Sequence, residues 1–228
     1  MKLLTTFALA SALIVSSAHS ATLIQDFFSR SGNLAGSNAV PTTSGPWGGG
    51  GYTTDGNSAV VALNPSAGGY CFQTIGPLQP SSSYVLSVYM ENTGGGDEWL
   101  GMGFGGNVGN GYSVLIRGTG DAVAFEGGAG LPTIPPVAGV TKGFFSIKLD
   151  TGASLNTSTI SYFRDGGSTQ IGTTHLVDAS SIDRVFIQDI ANVTGIYDNF
   201  FLTGPAVPEP SSLLLLSIAG LGLVRRRR

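Results

Sequence analysis

Apolar and polar residues alternate along most of the chain with a period of two, the pattern of a half-buried β-strand. The clearest run extends from Tyr84 to Met90, where the even-numbered residues form an apolar face and the odd-numbered residues form the other. The runs Tyr112–Arg117 and Phe145–Leu149 repeat this pattern. Further strand-like runs are Ala59–Leu63, Asp121–Glu126, Thr159–Arg164, Arg184–Ile190 and Ile196–Leu202.

Turn residues separate these runs. Gly118–Gly120 is predicted to connect two strands as a hairpin, and Asp165–Gly167 to end another strand. A longer loop, Gly127–Thr141, contains three prolines. Short strands without intervening helices must bury their apolar faces against a second sheet. The sequence therefore predicts an all-β fold, a two-sheet antiparallel β-sandwich of the jelly-roll type.

The first 20 residues have the composition of a secretory signal peptide. Lys2 supplies the positive start, and Leu3–Val15 is mainly apolar. Small residues around Ala18 and Ser20 predict cleavage between Ser20 and Ala21. The chain is therefore expected to use the Sec translocon and signal peptidase. An uncleaved N-terminal membrane anchor is the alternative.

The C-terminal end combines two prolines, an apolar run and four arginines. Pro208 and Pro210 separate the apolar run from the preceding domain, because proline does not continue a helix. The 14 residues Ser211–Val224 would span roughly 21 Å as a helix, less than the about 30 Å of a bilayer core. Positive charge at Arg225, Arg226, Arg227 and Arg228 predicts a short transmembrane helix with its end in the cytoplasm and the domain outside.

This tail resembles the PEP-CTERM sorting signal of bacterial proteins. The matching parts are Pro208, Glu209 and Pro210, then Leu213–Val224, then the arginine cluster. The resemblance implies recognition by exosortase, a membrane enzyme that cuts at or near the Pro-Glu-Pro motif, in bacteria that make extracellular polysaccharide. The tail would then be a removable address, inserted transiently in the inner membrane. An ordinary single-pass anchor is the alternative.

The expected organisation is a signal peptide at 1–20, a β-sandwich at 21–204 and a sorting tail at 205–228. The sandwich also resembles concanavalin A-like, or laminin G-like, jelly rolls. The stretches that carry this resemblance are Asp26–Arg30 with Leu34–Gly36 and Trp47, Trp99–Phe104, Ser161–Gly166 and Ile196–Phe200. A galactose-binding-like sandwich would match them equally well. The expected location is the cell surface or the extracellular matrix.

Charge and cysteine content narrow the functional classes. Between Ala21 and Val207 there are six basic and 13 acidic residues, a balance that excludes binding to nucleic acid through its phosphates. Cys71 is the one cysteine, so the exported chain has no internal disulfide. It is predicted to be a small buried apolar residue beside Phe72; a reactive thiol or an intermolecular bridge is the alternative.

Catalytic patterns are absent from the sequence, and no catalytic residue is predicted. Gly101, Gly103 and Gly106 match G-x-G-x-x-G, but the residues that follow do not begin the helix that this motif needs. His175 is predicted to be a solvated loop residue. The closely spaced acids of jelly-roll glucanases are also missing, although carboxylates from different strands remain able to meet.

Two ligand sites are predicted. Asp26 and Asp198, near the first and last strands, are candidate ligands of a structural calcium ion, since Ca²⁺ prefers oxygen ligands; solvated or turn-capping aspartates are the alternative. Trp47 and Trp99 are candidate glycan-stacking residues within a set of aromatics that otherwise builds the core. That set also includes Tyr52, Tyr89 and Tyr112.

Three hypotheses for the function follow. The first is a non-catalytic surface or matrix protein whose sandwich binds glycan, such as extracellular polysaccharide, or packs among other matrix components. The second is a secreted polysaccharide hydrolase or lyase with acids assembled across strands. The third is a purely structural envelope protein. The missing catalytic patterns favour the first and the third.

Overall fold

The structure is a computed structural model that describes residues 20–39, 45–56, 60–62, 69–94, 96–127, 129–130, 138–190 and 195–206. Sixteen strands are present in this part of the chain. They are β1 (Ser20–Asp26), β2 (Ser31–Asn33), β3 (Gly48–Gly50), β4 (Tyr52–Asp55), β5 (Val60–Ala62), β6 (Tyr70–Thr74), β7 (Ser83–Asn92), β8 (Trp99–Phe104), β9 (Tyr112–Arg117), β10 (Ala122–Glu126), β11 (Ala129–Gly130), β12 (Lys142–Asp150), β13 (Ser158–Arg164), β14 (Thr169–Val177), β15 (Arg184–Ile190) and β16 (Gly195–Pro205). Two 3-10 turns, Leu155–Thr157 and Asp165–Gly167, are the helical elements of the same residues.

The strands form two antiparallel sheets. Over the described residues, one sheet has nine strands in the order β14-β13-β12-β7-β16-β5-β4-β2, with β1 also paired to β16. The other has seven strands in the order β11-β10-β9-β8-β15-β6-β3. The chain crosses repeatedly between the sheets, as β7, β12–β14 and β16 belong to the first, and β8–β10 and β15 to the second. The predicted two-sheet antiparallel β-sandwich is confirmed.

The main core lies between the two sheets. In β7 the predicted apolar face is the buried one, and Leu86, Val88 and Met90 are inaccessible to solvent. β12 and β9 contribute their predicted apolar faces to the same cluster. A smaller apolar cluster covers the outer face of the seven-stranded sheet around Leu115 and Phe186. That sheet is thus buried on both faces over part of its area, which simple alternation did not predict.

A buried polar contact connects the sheets at one end of the sandwich. Asp189 on β15 is 1% exposed, and its Oδ1 accepts hydrogen bonds from the Tyr52 hydroxyl at 2.7 Å and from the Gly69 N–H. The Tyr52 ring packs edge-on against Tyr197, with 5.7 Å between ring centroids. Tyr197 donates to the Gln188 carbonyl at 2.7 Å. β4 and β16 of one sheet are therefore bonded to β15 of the other.

Both predicted turns are confirmed, whereas two segments that were predicted as loops contain strands. The predicted loop Gly127–Thr141 includes the two-residue strand β11. Arg117 and Asp121 close the predicted hairpin through a backbone hydrogen bond of 2.7 Å, and the turn at Asp165–Gly167 ends β13 as expected. His175, however, lies in strand β14 rather than in a loop. The sequence does not show this strand clearly because β14 has many polar residues. It lies at the edge of its sheet, where few side chains need to be apolar.

Packing explains the glycines that match a nucleotide-binding motif. At Gly103 on β8, a Cβ atom would come within 2.5 Å of the Tyr112 carbonyl oxygen and 2.7 Å of the Phe186 ring. The residues that follow β8 form a loop and no helix. Nowhere in the described ranges is there a helix of the length and apolarity needed to cross a membrane.

Replacing Asp189 with alanine should destabilise the fold, because the Tyr52 hydroxyl and the Gly69 N–H would lose their buried acceptor. Since Asp189 Oδ2 has no hydrogen-bond partner, we expect a net loss of about 2 kcal/mol rather than the sum of two full hydrogen bonds. The measurement is urea unfolding of the full chain. Asp97→Ala, at a side chain that is 89% exposed, should change stability by less than about 0.5 kcal/mol. Equal losses of stability in the two variants would contradict a stabilising role for the buried Asp189 contacts.

Candidate functional site

A polar pocket opens where β8 ends and where β9 and β15 begin. Its volume is about 550 Å³. The chain segments that form it are β6, the loop after β8, the start of β9 and the residues leading into β15. The described lining residues are Tyr70, Gly105, Gly106, Asn107, Asn110, Tyr112, Ser181, Ile182, Asp183 and Arg184.

The glycine- and asparagine-rich loop 105–111 is braced by its own side chains. Asn110 Oδ1 accepts the Asn107 N–H at 2.9 Å, and Asn107 Oδ1 accepts the Gly109 N–H at 2.7 Å. Gly105 turns the chain with φ of 100°, a conformation that favours glycine. Val108 anchors the loop, since its side chain is buried and its N–H donates to Gln188 Oε1 at 2.9 Å. The pocket wall is therefore formed before any ligand arrives.

Two tyrosines contribute aromatic surface to the pocket. The Tyr70 hydroxyl donates to the Gly106 carbonyl, and its ring lies 5.5 Å from Phe72 and 6.0 Å from Phe186 between centroids. The Tyr112 hydroxyl donates to the Asp178 carbonyl at 3.1 Å. Burial raises the pKa of both hydroxyls, so they remain protonated near neutral pH.

The charged lining residues in the described part are one ion pair. Arg184 binds Asp183 in a bidentate manner, with Nε at 2.8 Å from Oδ1 and Nη2 at 2.9 Å from Oδ2. This contact lowers the pKa of Asp183 and raises that of Arg184, so both stay ionised and their charges cancel. The Arg184 guanidinium also lies 4.7 Å from the centroid of the Phe72 ring, which fixes its orientation.

A second polar cluster connects the sheets beside Tyr112. Glu126 at the end of β10 accepts a hydrogen bond of 2.7 Å from the buried Tyr162 hydroxyl and also contacts His175 Nε2. The rings of Tyr162 and His175 are stacked at 6.0 Å. Burial raises the pKa of Tyr162, followed by the effect of the Glu126 charge. His175 is therefore a partly buried structural contact, which corrects its prediction as a solvated residue.

The two predicted calcium ligands face different ways. Asp26 points into the interior, where its oxygens accept hydrogen bonds from Arg30 at 2.7 Å and 2.7 Å and from Trp47 Nε1 at 2.7 Å. Asp198 lies on the outward face of β16, between the inward-facing Tyr197 and Phe200. The structure does not bring the two carboxylates together. Within the described ranges, no three His, Cys, Asp or Glu residues are grouped as a metal site would require.

The two predicted glycan-stacking tryptophans have different environments. Trp47 is 1% exposed and packs edge-on against Phe200 at 5.0 Å, so its prediction as a stacking platform is wrong. Trp99 is partly exposed on β8, and the Arg117 guanidinium lies 4.2 Å from its ring centroid. Trp99 as a glycan contact remains a prediction.

Of the pocket residues, Tyr112 alone was within the aromatic set that the sequence singled out. The others are far apart in the chain and became neighbours through strand pairing. The usable signal was the Gly-Asn-rich loop 105–111 between two strands, because braced loops at strand ends often carry binding residues.

The predicted processing signals lie mostly outside the described residues. This applies to signal residues 1–19 and to the tail from 207 onward, including the Pro-Glu-Pro motif at Pro208, Glu209 and Pro210 and the four C-terminal arginines. Ser20 and Ala21 are the first two residues of β1 and pair with Pro205 and Gly204 of β16. The predicted cleavage point therefore falls at the outer end of a strand.

Comparison with known proteins confirms the sorting motif. Residues 206–228 match the family described as the PEP-CTERM protein-sorting motif. In the sequence, an all-β sandwich is thus followed by a PEP-CTERM motif. The motif indicates export and exosortase-dependent sorting to the cell surface. No curated protein of similar sequence was found.

Several solved structures have a similar shape. Peanut lectin bound to a nine-residue peptide is 11% identical, covers 83% of this chain and 99% of its own, and has a TM-score of 0.48. The alginate lyase Aly36B is 13% identical, covers 82% and 97%, and has a TM-score of 0.47. A seed lectin of Lotus tetragonolobus is 9% identical, covers 71% and 94%, and has a TM-score of 0.48. At these values the likenesses assign no ligand or activity to this chain.

The environment of Cys71 predicts an unreactive thiol. Cys71 is fully buried and unpaired, and burial raises the pKa of its thiol to about 12. A raised pKa favours the neutral form, so at pH 8 about one thiol in 10,000 is ionised. A disulfide-exchange reagent such as DTNB should label the native full chain negligibly, and should label one thiol after guanidinium denaturation. Rapid labelling of the native protein would indicate a reactive cysteine instead.

Proposed function

We propose that this protein is an exosortase-sorted surface or matrix protein whose sandwich binds extracellular glycan at the polar pocket without acting on it. The preformed pocket carries the proposal. A sugar ring has apolar C–H faces and a rim of hydroxyls, so it needs aromatic surface together with closely placed donors and acceptors. Tyr70 and Tyr112 supply the aromatic surface. Asn107, Asn110 and Asp183 supply amide and carboxylate groups.

Preorganisation supports binding over a purely structural role. The loop 105–111 is held by side-chain hydrogen bonds and by the buried Val108, so a ligand would not have to order it. A sandwich that served only as a spacer would have no need for such a braced concave wall.

The chemistry of the pocket supports a non-catalytic role. A glycosidase needs two carboxyls about 5–10 Å apart, whereas Asp183 is the single carboxylate among the described lining residues and is neutralised by Arg184. A polysaccharide lyase needs a general base near the sugar. The raised pKa of Tyr70 and Tyr112 leaves both tyrosines protonated near neutral pH, which disfavours them in that role.

For the tail, we propose that Leu213–Val224 is inserted transiently in the inner membrane. Arg225–Arg228 would remain on the cytoplasmic side, in accord with the positive-inside rule. Exosortase would then cut at or near Pro208–Pro210, and the sandwich would be delivered to the surface or matrix. The match of residues 206–228 to the sorting motif supports this route.

A pocket substitution tests glycan binding. Tyr112→Leu removes a ring and a hydroxyl from the lining, and we expect at least a ten-fold loss of affinity for whichever glycan the full chain binds. The measurement is a glycan array followed by calorimetry on the best oligosaccharide. Tyr89→Leu is the matched control, since Tyr89 packs against Phe144 on the outer face of the other sheet.

The other functional hypotheses give different results. Binding to no glycan on the array would favour a purely structural envelope protein. Release of reducing ends or of unsaturated products from a polysaccharide, lost on substitution of an acid, would show an enzyme. Equal affinity in the two tyrosine variants would place glycan binding elsewhere on the molecule.

The sorting motif predicts dependence on Glu209. Glu209→Ala should block processing in the native host, so that the C-terminal tail remains on the protein. Intact-mass measurement of the envelope fraction would detect the uncut chain, and Asp97→Ala should be processed normally. Deleting Leu213–Arg228 should change the envelope fractionation. Normal processing of the Glu209 variant, with unchanged fractionation of the deletion, would contradict exosortase sorting.

A further inference from the structure

The net charge of the pocket indicates which class of glycan it accepts. Of the ten residues that line it in the described part of the chain, Asp183 and Arg184 are the two charged ones, and they form a bidentate ion pair. The remaining polar side chains are neutral amides and hydroxyls, from residues such as Asn107, Asn110 and Ser181. The pocket therefore presents hydrogen-bonding groups without an uncompensated positive charge.

We propose that the pocket selects neutral glycans with free neighbouring hydroxyls and rejects uronate-rich, acidic ones. This inference rests on the proposed function, because it names the ligand class of the same site. Asp183 is decisive in it. Each of its oxygens accepts one hydrogen bond from Arg184. Each oxygen therefore keeps a lone pair that can accept a hydrogen bond from a sugar hydroxyl.

A uronate carboxylate is a poor fit because it is an acceptor only. To bind Arg184 it would have to displace Asp183 from the Nε–Nη2 edge of the guanidinium or use the remaining N–H groups beside that carboxylate. Displacement is opposed because Asp183 is the adjacent residue in the chain and so competes at high effective concentration. Without that displacement, two carboxylates would lie against each other in a partly enclosed site. Such like-charge contacts oppose binding.

The surrounding charge acts in the same direction. The segment from Ala21 to Val207 has 13 acidic and six basic residues, so its overall field repels a polyanion, most strongly at low salt. Arg117, a further arginine of the seven-stranded sheet, is also compensated. Its Nη1 lies 3.4 Å from Asp97 and 3.5 Å from Asp121, and its guanidinium covers Trp99.

The test uses the full chain and two oligosaccharide sets of matched length, neutral hexose oligomers and uronate oligomers, measured by calorimetry at low and high salt. We expect the wild type to bind its best neutral oligomer at least ten-fold more tightly than any uronate oligomer. Asp183→Asn keeps the side-chain shape but leaves Arg184 uncompensated. It should weaken neutral binding several-fold and strengthen uronate binding about ten-fold, with a gain that decreases as salt rises.

Asp165→Asn is the matched control. Asp165 is an exposed aspartate that is likewise adjacent to an arginine in the chain and pairs with it, at 3.4 Å from Arg164, but it lies in the turn between β13 and β14. It should change neither affinity. Near-UV circular dichroism checks that both variants retain the fold, as expected for side chains that are 57% and 60% exposed.

The outcomes separate this inference from the function on which it rests. If the wild type binds uronate oligomers as tightly as neutral ones and Tyr112→Leu weakens both, glycan binding at the pocket stands and the neutral selectivity is overturned. An unchanged selectivity in Asp183→Asn also overturns it. If neither oligomer set binds, or if Tyr112→Leu has no effect, the proposed function fails and the selectivity fails with it.

Discussion

The burial of two apolar sheet faces against each other is the constraint on which the rest of this structure depends. The exported domain has one cysteine and no disulfide, so this contact must hold the sandwich together. Residues such as Leu86, Ile147 and Leu202 are completely buried between the sheets. Strands with a period of two meet this demand with one face and leave the other to interact with solvent, ligands or covering loops.

The buried carboxyl groups of Asp26 and Asp189 are tolerated in this interior because each accepts hydrogen bonds on at least one oxygen. Asp26 is surrounded by donors from Arg30, Trp47 and the Phe28 backbone, and Asp189 is bonded to Tyr52 and to the backbone of Gly69. Such contacts connect segments that apolar packing alone would leave free to slide, because they require a specific register. Because Asp26 is buried and its oxygens accept hydrogen bonds from these donors, it is not an exposed carboxylate in this structure.

The candidate site lies on the outer face of the seven-stranded sheet, beside the smaller apolar cluster. The outer face of the seven-stranded sheet is partly covered by the loop 105–111, with Val108 inserted into an apolar cluster beside Phe186. The edge of that covered area is the pocket, where the Tyr70 ring, half-buried against the cluster, meets the polar groups of two strand ends. A rigid scaffold with function on its loops is the general solution for β-sandwiches. Here hydrogen bonds hold the loop 105–111 in place, so the wall of the site is fixed to the sheet beside it.

The sequence by itself determined the local features of this protein: the faces of β7, β9 and β12, the hairpin after Arg117, the burial of Cys71 and the sorting motif at its end. Each of these depends on residues close together in the chain, where periodicity, turn chemistry and composition act directly. Only the tertiary structure decided that Trp47 lies in the core, that His175 contacts Glu126, and that Asp183 meets the loop after β8. These relations depend on which strands become neighbours, and that order follows from the packing of the whole domain rather than from any local pattern.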